Sequence, residues 1–257
     1  MKAQILVSIV LFSLSAAFIG WRVHATRNLK TNHAVLLIDH SLSHPDTCLS
    51  VAGLAERIVH MDTFASGSML TALVLGDEGS ANEPRRFAQY QIPRSNKAIE
   101  GRTANLRQQQ ELVQDIQERC EAIPRTMISP IFLGVKQAIA ELRSLGCKED
   151  FACVLYVGSD GEENMEQSIK HALRGSPGDG PSLPAPLNNK GIQTVFCGIA
   201  VTAGRVVDPS GREIRKLLPH DASRDDGLKN TWSSLFTEPA LVSFEPYCPI
   251  PGRLTND

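Results

Sequence analysis

Two short apolar runs, Ala34-Val-Leu-Leu-Ile38 and Phe151-Ala-Cys-Val-Leu-Tyr-Val157, constrain this chain more than any other feature, because neither alternates polar with apolar residues. Such a run, closed by turn-forming residues, reads as a strand buried on both faces, and strands of that kind belong to parallel sheets covered by helices on either side. The segments around them carry the matching periodicities. They predict strand 33–39, helix about 47–60, strand 69–75, a short edge strand 86–92, helix about 104–121 and helix 130–145. Strand 151–157, helix about 164–174, strand 192–199, helix about 228–236 and strand 241–245 follow. The expected fold is a doubly wound, mostly parallel sheet with helices on both faces. Ser176 to Asn189, rich in Pro, Gly and Ser, reads as a surface loop, and Val206 to Glu213 as the turn of a small hairpin.

Both runs stop at polar loops. The first ends in Asp39-His40-Ser41-Leu42-Ser43 and the second in Gly158-Ser159-Asp160-Gly161-Glu162-Glu163-Asn164. Sheets of this class bind ligands beyond the carboxyl ends of their strands, so Asp39 and Asp160 are expected on one rim. A third loop, Arg125-Thr126-Met127-Ile128-Ser129-Pro130, opens the amphipathic stretch from Ile131 to Leu145 and brings further hydroxyls. Carboxylates and hydroxyls are the hard oxygen donors that magnesium and manganese prefer. Taken alone, the first loop reads more readily as a strand followed by a helix cap, with Ser43 or Asp46 capping a helix that starts near Thr47.

The three loops together resemble the von Willebrand factor type A (vWA) domain and its metal-ion-dependent adhesion site. That family's pattern is Asp-x-Ser-x-Ser after the first strand, a Thr in the loop before a central helix, and an Asp, commonly followed by Gly, after the fourth strand. The resemblance implies Asp39, Ser41, Ser43 and Asp160 as metal ligands, with Ser129 directly before Pro130 at the Thr position; Thr126, three residues earlier, is the alternative. It also implies magnesium, or else manganese or calcium, and a protein partner that offers an Asp or Glu carboxylate to the metal. The resemblance covers roughly residues 31–245, within a domain expected at 31–248 that is preceded by a leader at 1–25 and followed by a tail at 249–257. The function so implied is a non-enzymatic, cation-dependent protein-binding module. A structural or assembly scaffold with an idle metal site is the alternative.

Composition narrows the classes further. The chain has 257 residues, 42% of them hydrophobic, which suits one α/β domain plus a leader. A net charge of −2 with both signs dispersed offers no basic stripe for nucleic acid. No Gly-x-Ser-x-Gly or Gly-rich phosphate loop is present. A magnesium-dependent phosphatase of the haloacid dehalogenase type would use Asp39 as nucleophile and want a second Asp two residues later. Position 41 is Ser, which cannot take up that proton transfer at neutral pH. His40 and His44 read as loop residues, since no partner pair with zinc-ligand spacing lies near them in sequence. Glu162 and Glu163 read as helix-start carboxylates.

The leader and the cysteines concern the compartment. Ala3 to Trp21 is a 19-residue stretch without charge, long for a signal-peptide core and about long enough to cross a bilayer as a helix. Val23-His24-Ala25 offers a cleavage site, and Trp21 beside Arg22 an interfacial anchor, so cleaved leader and membrane anchor both stay open. Arg22, Arg27 and Lys30 after the stretch, against Lys2 before it, favour a cytoplasmic domain. The even count of six cysteines favours an oxidising compartment. The expectation is an extracytoplasmic domain, membrane-anchored, or secreted or periplasmic if the leader is cleaved. Cys153 and Cys197 read as buried thiols, and Cys120 with Cys147 and Cys48 with Cys248 as candidate bridges.

Overall fold

The computed structural model describes residues 32–41, 47–59, 64, 67–75, 83–91, 100–125, 128–147, 153–163, 165–173, 181–198, 201–207, 213–219 and 222–245. The leader, Ser43, His44, Thr126, Cys248 and the tail lie outside the described residues. Among those described, no helix is long and apolar enough to cross a membrane.

The elements run β1 (His33–Asp39), α1 (Thr47–Val59), β2 (Met69–Leu75), β3 (Arg85–Gln91), α2 (Glu100–Glu121), α3 (Ile131–Ser144), β4 (Cys153–Gly158) and α4 (Gln167–Leu173). Next come β5 (Ile192–Cys197), β6 (Val201–Val207), β7 (Glu213–Pro219), α5 (Ala222–Ser234) and, after a 3-10 turn at Pro239–Leu241, β8 (Val242–Glu245). Six strands form one sheet in the order β3-β2-β1-β4-β5-β8, and β6 with β7 forms a separate antiparallel hairpin. Every pairing in the six-stranded sheet is parallel except β2 with the edge strand β3. This is the expected doubly wound α/β fold.

β1 lies at the centre, and each of its residues is buried. Ala34, Leu36 and Ile38 face one core together with Cys48, Val51, Ala55 and Ile58 of α1 and Leu112, Ile116 and Cys120 of α2. Val35 and Leu37 face the other core, with α3, α4 and α5. In α3 the core residues are Ile131, Val135, Ala138, Ile139 and Leu142, the one-faced spacing of a helix lying on a sheet. The chain leaves β1 toward β2 on one side and later returns to its other side as β4, so the gap beyond Asp39 is the sheet's switch point.

Two disulfides lie on opposite sides of this sheet. Cys48 bonds Cys120 at a Cα separation of 5.5 Å, and Cys147 bonds Cys153 at 6.0 Å; Cys197 is disulfide-bonded too. This corrects the sequence-based pairings and the reading of Cys153 and Cys197 as thiols. Cys120 belongs to the core under α1 and α2, whereas Cys147 belongs to the core under α3, so the sheet itself keeps those two sulfurs apart.

Gly134 faces β1 and β2 at a point of α3 where no room is left for a side chain. A Cβ there would run into Leu75 Cδ2 and come within 3.2 Å of Leu37 Cδ2. Gly134→Val should therefore overpack this layer and lower stability by about 1–3 kcal/mol, read as a fall in the urea midpoint at unchanged slope. An unchanged midpoint would show that α3 has room to move.

Candidate metal centre

Asp39 is the last residue of β1, and β1 pairs with β4 in a register that sets Ile38 opposite Gly158. One step further along, Asp39 and Ser159 are neighbours, and the Ser159 hydroxyl donates to Asp39 Oδ2 at 2.9 Å. Asp39 Oδ1 accepts from the Ser41 backbone N–H and from the Ser129 hydroxyl, each at 3.1 Å. The carboxylate at the end of the central strand thus binds all three loops. Asp39 and Ser159 are fully buried, and Ser41, Ser129 and Asp160 nearly so.

Burial pushes the Asp39 carboxyl up to about 6, and the nearby Asp160 charge pushes the same way; hydrogen bonds from Ser159, Ser41 and Ser129 oppose both. A rise from 3.8 to about 6 disfavours the charged form by about 3 kcal/mol. The hydroxyls do not outweigh desolvation and the second carboxylate.

The loop after β4 is held from two directions. Glu163, nearly fully buried, accepts the Phe132 N–H at 2.7 Å and so caps the start of α3 from another loop. Its other oxygen accepts the N–H groups of Met165 at 2.7 Å and Glu166 at 3.1 Å. From below, the Trp232 indole N–H donates to the Gly161 carbonyl at 2.9 Å. Trp232 itself is fixed by ring packing on Phe196, at a centroid distance of 5.1 Å. Gly161, at φ +81°, takes the left-handed turn that lets its N–H reach Ser159 Oγ at 3.1 Å. The Asp160 carboxylate accepts the Glu162 N–H at 3.0 Å.

Of the residues expected from sequence, the structure brings Asp39, Ser41, Ser129 and Asp160 to one rim. Ser43 and Thr126 lie outside the described residues. Sequence reasoning missed Ser159 as a partner of Asp39, although a hydroxyl directly before the rim Asp was the signal. It assigned Glu163 to a helix start, and the helix it caps is also α3. His40, read from sequence as a loop residue, directly follows β1 and is buried at 3% exposure, with Nε2 3.0 Å from the Ile123 carbonyl. Burial and the Arg125 charge lower its pKa, and the Ile123 hydrogen bond raises it.

The donor set suits a hard divalent cation: two carboxylates, of which Asp160 raises the cost of charge on Asp39, and neutral hydroxyls at one strand-end rim. Asp39, Ser41, Ser129 and Asp160 would hold such an ion.

No protein-family model matches the chain, and no curated protein matches it. Among solved structures the chain is similar to the ArnB paralog VWA2 from Sulfolobus acidocaldarius, at 11% identity and a TM-score of 0.33, over 65% of this chain and 34% of that one. The chain thus spans about a third of that protein's length.

Because the folded metal-free protein holds a proton on Asp39 more tightly than the unfolded chain does, its stability should fall as pH rises from about 4 through 6. Chelator-treated protein should show this as a declining urea midpoint across that window, and Asp39→Asn should flatten the decline. A midpoint that rises with pH in the same window would contradict the burial argument.

Proposed function

We propose that the chain is a vWA-like protein-binding module, exported or membrane-tethered, that engages its partner through a divalent cation and performs no chemistry of its own. The observation that carries this reading is the meeting of Asp39, Asp160, Ser41 and Ser129 at the switch point, with Asp39 held between a second carboxylate and three hydroxyl-bearing residues. A magnesium or manganese ion held there directly by the hydroxyls, with a carboxylate reached through water, would keep part of its charge exposed at an open position and would attract a partner's Asp or Glu. The chain's own contribution is to orient these donors: Ser159 and Ser129 fix the Asp39 carboxylate, while Glu163 and Trp232 fix the loop that carries Asp160. Asp39 is also a poor candidate for a nucleophile, since it is fully buried and accepts from three donors.

One observation favours the scaffold reading. Both Asp39 oxygens already have partners within the protein, so the cluster can stand as a purely structural network.

Magnesium titration and partner capture separate the two. The binding module should take up magnesium with Asp39 intact and lose it in Asp39→Ala, with unchanged far-ultraviolet circular dichroism. Its partner should be released by chelator, and by changing the partner's carboxylate to an amide. Ser129→Ala should weaken magnesium binding more than Thr126→Ala does. Partners retained equally with and without chelator, and by Asp39→Ala, would establish the scaffold reading instead.

A further inference from the structure

The Cys48–Cys120 bridge has a third member. His40 Nδ1 lies 3.7 Å from Cys48 Sγ, and the ligand atoms of His40, Cys48 and Cys120 all fall within 4.8 Å of one another. All three residues are buried, at 3%, 6% and 0% exposure. The Ile123 carbonyl, 3.0 Å from Nε2, can only accept, so Nε2 carries the hydrogen. In the neutral ring Nδ1 then carries the lone pair, aimed at a sulfur that has no proton to give while it is in a disulfide. A buried acceptor facing two sulfurs without a donor is an unmet hydrogen-bonding group.

From this arrangement we infer that His40, Cys48 and Cys120 form, once their disulfide is reduced, a buried binding site for a thiophilic cation, with the cuprous ion as its first occupant. An external dithiol breaks the Cys48–Cys120 S–S bond, supplies two electrons and two protons, and closes to its own disulfide. The cation then binds the two sulfurs and Nδ1, and the two thiol protons leave to solvent. The ring is already set for this role, because a metal-binding imidazole ordinarily donates its other N–H to a carbonyl or carboxylate. Thiolate donors select cuprous ion and zinc over magnesium or calcium, which keeps this site chemically distinct from the oxygen cluster that starts one residue earlier at Asp39. Structural zinc takes four donors, whereas the described residues offer three. In the oxidised chain the same sulfurs staple α1 to α2 and the site is closed.

The test uses the full chain, reduced with dithiothreitol, freed of reductant under anaerobic conditions and titrated with cuprous ion against a competing chelator. The reduced wild type should take up one more ion per chain than the reduced Cys48→Ser/Cys120→Ser variant, and the oxidised wild type should not gain it. His40→Ala should weaken that ion by more than about tenfold. Where a variant does not fold, alkylation mapping of the copper-loaded wild type decides: Cys48 and Cys120 should be protected, while Cys147 and Cys153 react. Equal uptake by wild type and double variant, or protection of Cys147 and Cys153 in place of Cys48 and Cys120, overturns the site. Zinc displacing cuprous ion from the protected pair overturns the copper assignment.

Discussion

The structure turns on one desolvated carboxylate. Removing an ion from water costs several kcal/mol even after relaxation, and a second carboxylate nearby adds to that cost. Hydrogen bonds to a charged group return about 1.5–3 kcal/mol each. For Asp39 the losses prevail and push its carboxyl up to about 6, yet the three donors that limit them come from three separate loops. Those loops meet at the carboxylate, each bringing it one donor.

That meeting depends on the layers beneath it. Asp39 ends a fully buried strand because helices cover both faces of β1, and Ser129 stands just before α3, which packs on Leu37 and Leu75 at Gly134. On the same face, Phe196 packs against Trp232, Phe236 and Phe244, which holds α5 so that the Trp232 indole reaches the Gly161 carbonyl. Core packing and loop geometry are thus one arrangement: a side chain that shifts under the sheet moves an oxygen donor on its rim.

The strands were the most legible part of the sequence because double burial removes all alternation. The limits read for β1 and β2, 33–39 and 69–75, coincide with those observed, and β3 is offset by one residue. Helix ends were less legible: α5 begins at Ala222, six residues before the expected 228, through the polar Ser223, Arg224 and Asp225, which have no apolar stripe to mark them. The rim residues Asp39, Ser41, Ser129 and Asp160 could be found because strand ends advertise themselves. Ser159 and Glu163 could not be placed, since their partners, Asp39 and the Phe132 N–H, are far away in sequence and depend on strand register and helix docking. The disulfides failed for the same reason. Cys120 and Cys147 are each close to a helix end and not far apart in sequence, but which side of a sheet a cysteine faces is a tertiary property.

The two clusters at the end of β1 show how far one strand end can be specialised. Asp39 and His40 are consecutive, and in a strand consecutive side chains point to opposite faces. The carboxylate meets Ser129 and Ser159, while the imidazole meets Ile123, Cys48 and the core under α1 and α2. Hard oxygen donors and soft sulfur and nitrogen donors are therefore kept apart by the sheet's alternation, although they are adjacent in the chain. A cation suited to one set is poorly suited to the other, so the two clusters need no further barrier to remain chemically independent.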